Sequence, residues 1–184
     1  INGRYTYAYD HLKTEKYYDR STSIGQSYKG QAFLSHEENV KHQIEGVATY
    51  HPKMEGKHDV KVTAGTSYIY QRGKGDEVQA YGFASDVFSF KNIGAAQHLD
   101  WIGSGESSIK KASAFGRAEY IFNNRYILNA SVRADGSSVF GADYRWGIFP
   151  AGSIAWHLGE EKFMEWVKPL ISRIKLRTSY GLSG

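Results

Sequence analysis

Apolar and polar residues alternate with a period of two along most of this chain, and that pattern confines it to β-structure. Successive side chains of a strand point to opposite faces, so alternate apolar positions build one apolar face. Seven stretches carry the pattern. The first, 2–11, sets Tyr5, Tyr7 and Tyr9 against Arg4, Thr6, Ala8 and Asp10. The second, 38–50, sets Val40, Ile44, Ala48 and Tyr50 against Lys41, Gln43, Glu45 and Thr49. The third, 58–71, sets Val60, Val62, Ala64, Tyr68 and Tyr70 against Asp59, Lys61, Thr63, Ser67 and Gln71. In 110–122, Ala112, Ala114, Ala118, Tyr120 and Phe122 oppose Ser113, Arg117 and Glu119. In 125–136, Tyr126, Leu128, Ala130 and Val132 oppose Arg125, Asn129, Ser131, Arg133 and Asp135. The stretch 145–157 carries Trp146, Ile148, Ile154 and Trp156 on one face. The last, 173–181, sets Ile174, Leu176 and Tyr180 against Arg173, Lys175, Arg177 and Ser179.

These runs match the roughly 9–11 residues that a tilted strand needs to cross a bilayer, and exceed the globular mean of about 5–6. Tyr and Trp fall near the strand ends, as in the aromatic girdles of membrane barrels. The apolar face then meets lipid and the polar face lines a lumen. A soluble sandwich would instead cover the apolar face with a second sheet, and alternation alone leaves both open. Connections add a second signal. His51–Lys57, Asn123-Asn124 and Gly159–Ser172 join one end of the strands, the last with room for one or two helical turns. Longer segments, 12–37 and 72–109, with a moderate one at 137–144, join the other. Short turns on one side and long loops on the other is the outer-membrane pattern. Seven strands cannot close a single-chain bacterial barrel, where counts are even. An eighth strand hidden in 76–102, around Gln79–Ala84, is one resolution; an arc of a larger barrel is the other. Ile1-Asn2-Gly3-Arg4 leads straight into a strand and Ser179 to Gly184 follows directly on one, so both ends are expected to be cuts.

Composition closes other routes. No apolar run approaches the ~18 residues of a spanning helix. With 0 Cys there is no disulfide scaffold, and 15% aromatic content argues against disorder. A net charge of +4, interspersed along the chain, offers no basic track for nucleic acid.

The run Asn124-Arg125-Tyr126-Ile127-Leu128-Asn129-Ala130-Ser131-Val132-Arg133-Ala134-Asp135-Gly136-Ser137-Ser138-Val139-Phe140-Gly141 resembles the hallmark strand and turn of SusC/RagA-type TonB-dependent transporters. Arg145 to Trp156, Glu160-Glu161-Lys162-Phe163-Met164 and Ile174 to Gly181 resemble the elements that follow it. Gly56–Val60 and Phe115–Tyr120 are similar in style; 12–37 and 73–109 resemble it only weakly. The resemblance implies an all-β, antiparallel transmembrane barrel of the 22-stranded, plugged class, of which 1–184 is one part without the plug. It implies an outer-membrane location in Bacteroidetes-type bacteria and uptake of oligosaccharides or peptides. Its implied partners are a SusD-type surface lipoprotein, TonB–ExbB–ExbD acting through the plug, and outer-membrane lipid. Two other readings stay open: a small complete outer-membrane barrel with an adhesion role, and a soluble β-sandwich binding module.

Within the barrel reading, Arg117, Glu119, Arg133, Asp135, Arg173, Lys175 and Arg177 are expected to face the lumen, in opposed-charge ladders across strands. The loop aromatics Tyr17, Tyr18, Tyr28, Tyr81, Phe83, Phe88 and Trp101 are candidates for contact with substrate or lid. Asp135-Gly136-Ser137-Ser138 has the chemistry of a strand-ending turn. No nucleophile elbow is present, since Gly103-Ser104-Gly105 lacks its spacing, and Gly73-Lys74-Gly75-Asp76 has no helix after it to cradle phosphate. An enzyme is not expected. Nor is a cofactor or a resident metal, although calcium in a loop near Asp76-Glu77 stays open.

Overall fold

The computed structural model describes residues 1–167, 171 and 173–183. Lys168, Pro169, Leu170 and Ser172, in the connection expected over 159–172, lie outside the described residues, as does Gly184. Seven strands form one sheet in strict chain order: β1 Asn2–Tyr18, β2 Gln31–Tyr50, β3 His58–Phe83, β4 Ala96–Phe122, β5 Tyr126–Ser137, β6 Trp146–Trp156 and β7 Leu176–Gly181. A six-residue helix, α1 (Ser23–Tyr28), lies between β1 and β2. No second sheet is present among the described residues, which overturns the sandwich reading. No described helix is long and apolar enough to cross a membrane.

The register of β4 to β7 is antiparallel and continuous. It begins at Asn123-Asn124, where both residues adopt positive φ (50° and 54°) and Arg125 N–H reaches Phe122 C=O at 3.0 Å. Positive φ at both central positions is the primed turn that matches strand twist, and Asn tolerates it. From there Tyr120 pairs with Leu128 and Leu128 with Ile154, while Ala118 pairs with Ala130 and Ala130 with Gly152.

The strands run further than the alternation indicated. β3 has 26 residues and β4 has 27, more than twice the roughly 9–11 needed to cross a bilayer. The expected long loops 12–37 and 72–109 are therefore mostly strand, and the true connections are 19–30 and 84–95. The postulated eighth strand in 76–102 is the end of β3 and the start of β4. Loop-length sorting also weakens, since the connection 157–175 is longer than any on the other end. The physical reason lies in the residues. In Arg72–Glu77 and Gly103–Ser108 every position is polar or glycine, so hydrophobicity carries no period to read.

Contacts divide the chain into two units. The first comprises Ile1–Tyr5, Gln43–Ile69 and Lys110–Gly184. Its sheet is inverted relative to a soluble protein. On β5 the apolar Leu128 and Val132 are exposed, as are their neighbours Ile148 and Ile154 on β6, while Asn129 and Ser131 are half-buried. Apolar surface in that position needs a non-aqueous neighbour, which the bilayer supplies to the outer face of a barrel wall. The turn end carries an aromatic row, with Tyr126 stacked on Trp156 at 6.1 Å and Trp156 edge-on to Phe163 at 6.5 Å. Glu161, in the helical connection expected at 160–167, accepts from Tyr126 Oη at 2.6 Å, Trp156 Nε1 at 3.1 Å and Arg125 Nη1 at 3.1 Å. These hydrogen bonds favour the carboxylate, Tyr126 foremost, and hold its pKa below the ordinary value.

The second unit comprises Thr6–His42 and Tyr70–Ile109. Its core is small: Ala32, Ala80 and Phe83, with Gln31, are buried. α1 closes it. Thr22 caps the helix by accepting from Gly25 N–H at 3.0 Å, worth about 1 kcal/mol. Lys29 ends it in the left-handed region (φ 55°), followed by Gly30 at φ 86°. A side chain on Gly30 would also lie 2.5 Å from the Tyr17 hydroxyl, so only glycine fits. The sequence reading missed α1, although Thr22 and Lys29-Gly30 are its start and stop signals.

Candidate functional site

Three groups of side chains have chemistry to offer, and each belongs to one unit. In the second unit, one face of β1–β3 carries an aromatic row in which His42 contacts Tyr7 at 5.1 Å and Tyr70 at 6.2 Å. Beyond it along the same face is a belt of cross-strand ion pairs. Glu38 meets Lys74 at 2.8 Å, Arg72 meets Glu106 at 2.8 Å, and Asp76 meets His36 at 3.2 Å. Hydrogen bonding to Lys74 and to Arg72 lowers the pKa of Glu38 and Glu106 respectively, and the two cations are raised in return. Exposed pairs of this kind contribute little stability.

The opposite face of the same strands presents Glu37 and Asn39 from β2, Glu77 from β3 and Trp101 from β4. Trp101 Nε1–H donates to Glu77 Oε1 at 2.5 Å. Asp76 and Glu77, named as a loop for calcium, are therefore adjacent strand residues on opposite faces, engaged by His36 and Trp101.

The base of the 84–95 connection forms the second group. Tyr17 donates to Asp86 at 2.8 Å and sets its ring edge-on to Phe83 at 5.4 Å. Arg20 donates to the Phe83 carbonyl and lies 3.8 Å from Asp86. Desolvation, then the Asp86 carboxylate, push the Tyr17 phenol up to about 12. Tyr81 lies between Tyr28 (5.3 Å) and His98 (5.0 Å). Of the aromatics named as loop candidates, Tyr17, Tyr18, Tyr81, Phe83 and Trp101 thus stand on strands, while Tyr28, ending α1 in 19–30, and Phe88, in 84–95, lie in connections. Phe83 is 2% exposed and packs inside; Phe88 and Trp101, at 40% and 56%, are open to solvent.

The third group lies on the polar face of β4 and β5 in the first unit. Arg117, Glu119, Arg133 and Asp135 share that face by register, and Arg177 pairs with Ala155 on it. Arg173 and Lys175 precede β7 and are not part of the strand. The expected ladders across strands are absent for these residues. Arg133 instead meets Asp135 at 2.6 Å and Arg117 meets Glu119 at 3.8 Å, each along its own strand. Register explains this: Arg133 lies opposite Phe115 and Phe149, Arg117 opposite Ser131, and Glu119 opposite Asn129. Ser67, Ser113, Arg133, Asp135 and the exposed Phe140 line a cleft of about 310 Å³.

No family model matches the chain. Among curated proteins it is similar to the TonB-dependent receptor P26 of Formosa agariphila, 31% identical over 141 residues, covering 76% of this chain and 14% of the relative. The TonB-dependent receptor P39 of the same organism is 32% identical over 142 residues, 77% of this chain and 14% of the relative. The TonB-dependent receptor SusC of Bacteroides thetaiotaomicron is 43% identical over 72 residues, 39% of this chain and 7% of the relative. The RagAB peptide transporter matches in fold with a TM-score of 0.84 at 21% identity, over 97% of this chain and 20% of that one. The chain thus spans about one seventh of the length of the first two relatives. A sheet in strict chain order, apolar on its exposed face, with this pattern of relatives and this matching fold, belongs to the SusC-like TonB-dependent transporters, as a stretch of their β-barrel.

Proposed function

We propose that the protein containing this chain is an outer-membrane transporter that imports oligosaccharides or peptides. A SusD-type lipoprotein covers its outer mouth, and TonB–ExbB–ExbD drive it through a plug. The observation that carries this reading is the inverted sheet, with Leu128, Val132, Ile148 and Ile154 exposed opposite a polar face bearing Arg117, Glu119, Arg133 and Asp135. Lipid on one side and a polar passage on the other is the division of labour of a barrel wall. No catalytic step is assigned to the chain. The wall residues hold the passage open and present hydrogen-bonding groups along it, while the energy comes from the inner membrane.

The test is uptake by cells carrying the full-length gene. Fluorescent oligosaccharides and peptides above the porin size limit should accumulate in the wild type and fall to background when either this gene or tonB is deleted. Uptake that survives loss of tonB would sink the proposal, as would recovery of the full-length protein outside the outer-membrane fraction.

A further inference from the structure

The Gly73-Lys74-Gly75 and Gly103-Ser104-Gly105 segments lie within β3 and β4. Two adjoining clefts of about 260 and 480 Å³ open on β2–β4 and share Glu37, Gly75 and Gly105. Trp101 lines the first. Its indole lies against Gly103, where a Cβ would come within 3.0 Å of Nε1 and 3.3 Å of Cε2. Its orientation is set by the bond to Glu77, yet the residue is 56% exposed, so a broad ring surface faces the cleft. Asn39 and Ser107 line the second cleft. The side chains of Glu37 and Asn39 are exposed and make no hydrogen bond or ion pair among the described residues. A Cβ on Gly105 would meet nothing within 4 Å, so the space is open above the backbone.

We propose that this face is a saccharide subsite, with Trp101 as the stacking platform and Glu37, Asn39 and Glu77 as the hydroxyl-binding groups. The inference deepens the transport reading and rests on it. A pyranose presents C–H groups of partial positive charge on its flat faces and hydroxyls on its rim. The negative face of an indole matches the first. Carboxylates and an amide, which accept or donate in pairs, match the second. The bond from Trp101 to Glu77 orients the platform before the ligand arrives, which cuts the ordering cost of binding. A peptide fits less well. Extended peptides bind by adding to a free strand edge, and β2, β3 and β4 each have a neighbour on both sides.

The test uses the purified full-length transporter in detergent, titrated with end-labelled hexasaccharides of glucose, mannose, xylose and galactose and with a mixed hexapeptide library. At least one hexasaccharide should bind. Trp101→Ala should weaken it about tenfold or more, as loss of a central aromatic anchor does, and Trp101→Phe should stay within about threefold. Gly105→Val should match the Trp101→Ala loss with an unchanged unfolding midpoint, because its side chain enters empty space. No hexasaccharide binding by the wild type overturns the subsite, as does binding within twofold of wild type in both Trp101→Ala and Gly105→Val. If the wild type binds and imports only peptides in a TonB-dependent way, the subsite falls and the transport reading stands. If Trp101-dependent hexasaccharide binding appears without TonB-dependent uptake, the transport reading falls and the subsite stands.

Discussion

The two units use the same element, a paired strand, under opposite rules. In the first, strands such as β5 and β6 have one apolar, exposed face, and charge pairs on the other, between strands at Arg4–Glu45 and along a strand at Arg117–Glu119 and Arg133–Asp135. In the second, both faces are largely polar, and the pairs Glu38–Lys74 and Arg72–Glu106 run between strands. Lipid on one side forbids charge there, so the first unit concentrates its charge on a single face. On β4 and β5 the residues opposite Arg117 and Arg133 are uncharged, which leaves each of these ions its own strand for a partner. Water on both sides imposes no such segregation, and the second unit carries charge on both faces, with cross-strand pairs from β2 to β4.

The sharpest way to break this comparison is to place the same charge in both units. Val132, at the middle of β5 opposite Gly116 and Pro150, should tolerate arginine poorly. Val132→Arg is expected to cost about 2–4 kcal/mol in urea unfolding of the full-length protein from lipid. Ile102→Arg, on a more exposed aliphatic residue of the second unit (68% against 48% for Val132), should stay within about 0.5 kcal/mol. Equal costs would erase the distinction between the units.

A smaller effect should appear at the turn. Glu161→Gln removes the charge that Arg125, Tyr126 and Trp156 share, and hydrogen exchange should quicken over residues 157–166. Because the folded pKa of Glu161 is lowered, its contribution is present above the unfolded carboxyl value of about 4.3 and is lost as pH falls through the folded one. Wild-type exchange at the turn should therefore rise toward that of the variant below about pH 4. A turn indifferent to pH there would show that the carboxylate is not what holds it.

Tyr17→Phe should cost about 1 kcal/mol, through loss of the bond to Asp86. The sign with pH is opposite to that of Glu161. A phenol raised to about 12 stabilises the fold fully below the unfolded value of about 10 and less as pH climbs between the two. Wild type and variant should converge in unfolding midpoint across that interval. Smallest of all, a double-mutant cycle on Arg72→Gln and Glu106→Gln should give a coupling within the error of the unfolding curves. The pair is exposed and screened by salt, and a large coupling would mean that the belt is more dehydrated than its exposure indicates.

Legibility followed the lipid. Where a strand has one apolar face, as in β5 and β6, its limits were readable to within a residue or so: 125–136 against Tyr126–Ser137, and 145–157 against Trp146–Trp156. Where both faces are polar or glycine, as in Arg72–Glu77 of β3 and Gly103–Ser108 of β4, the same strand was mistaken for loop. Trp101 stood out as a loop-aromatic candidate, although it stands on β4, and its partner Glu77 carried no local signal, because a hydrogen bond between β3 and β4 depends on a register that no short window contains.

By itself the amino-acid order determined the strand period, the apolar face and the Asn123-Asn124 turn. These follow from the backbone geometry of single residues and from what each face can touch. Tertiary structure alone decided how far β1 to β4 extend, which charges pair and along which direction, and that the glycines of β3 and β4 leave an opening beside Trp101. Each of these depends on what stands opposite in the neighbouring strand, and strand pairing joins residues too distant in sequence for local pattern to reveal.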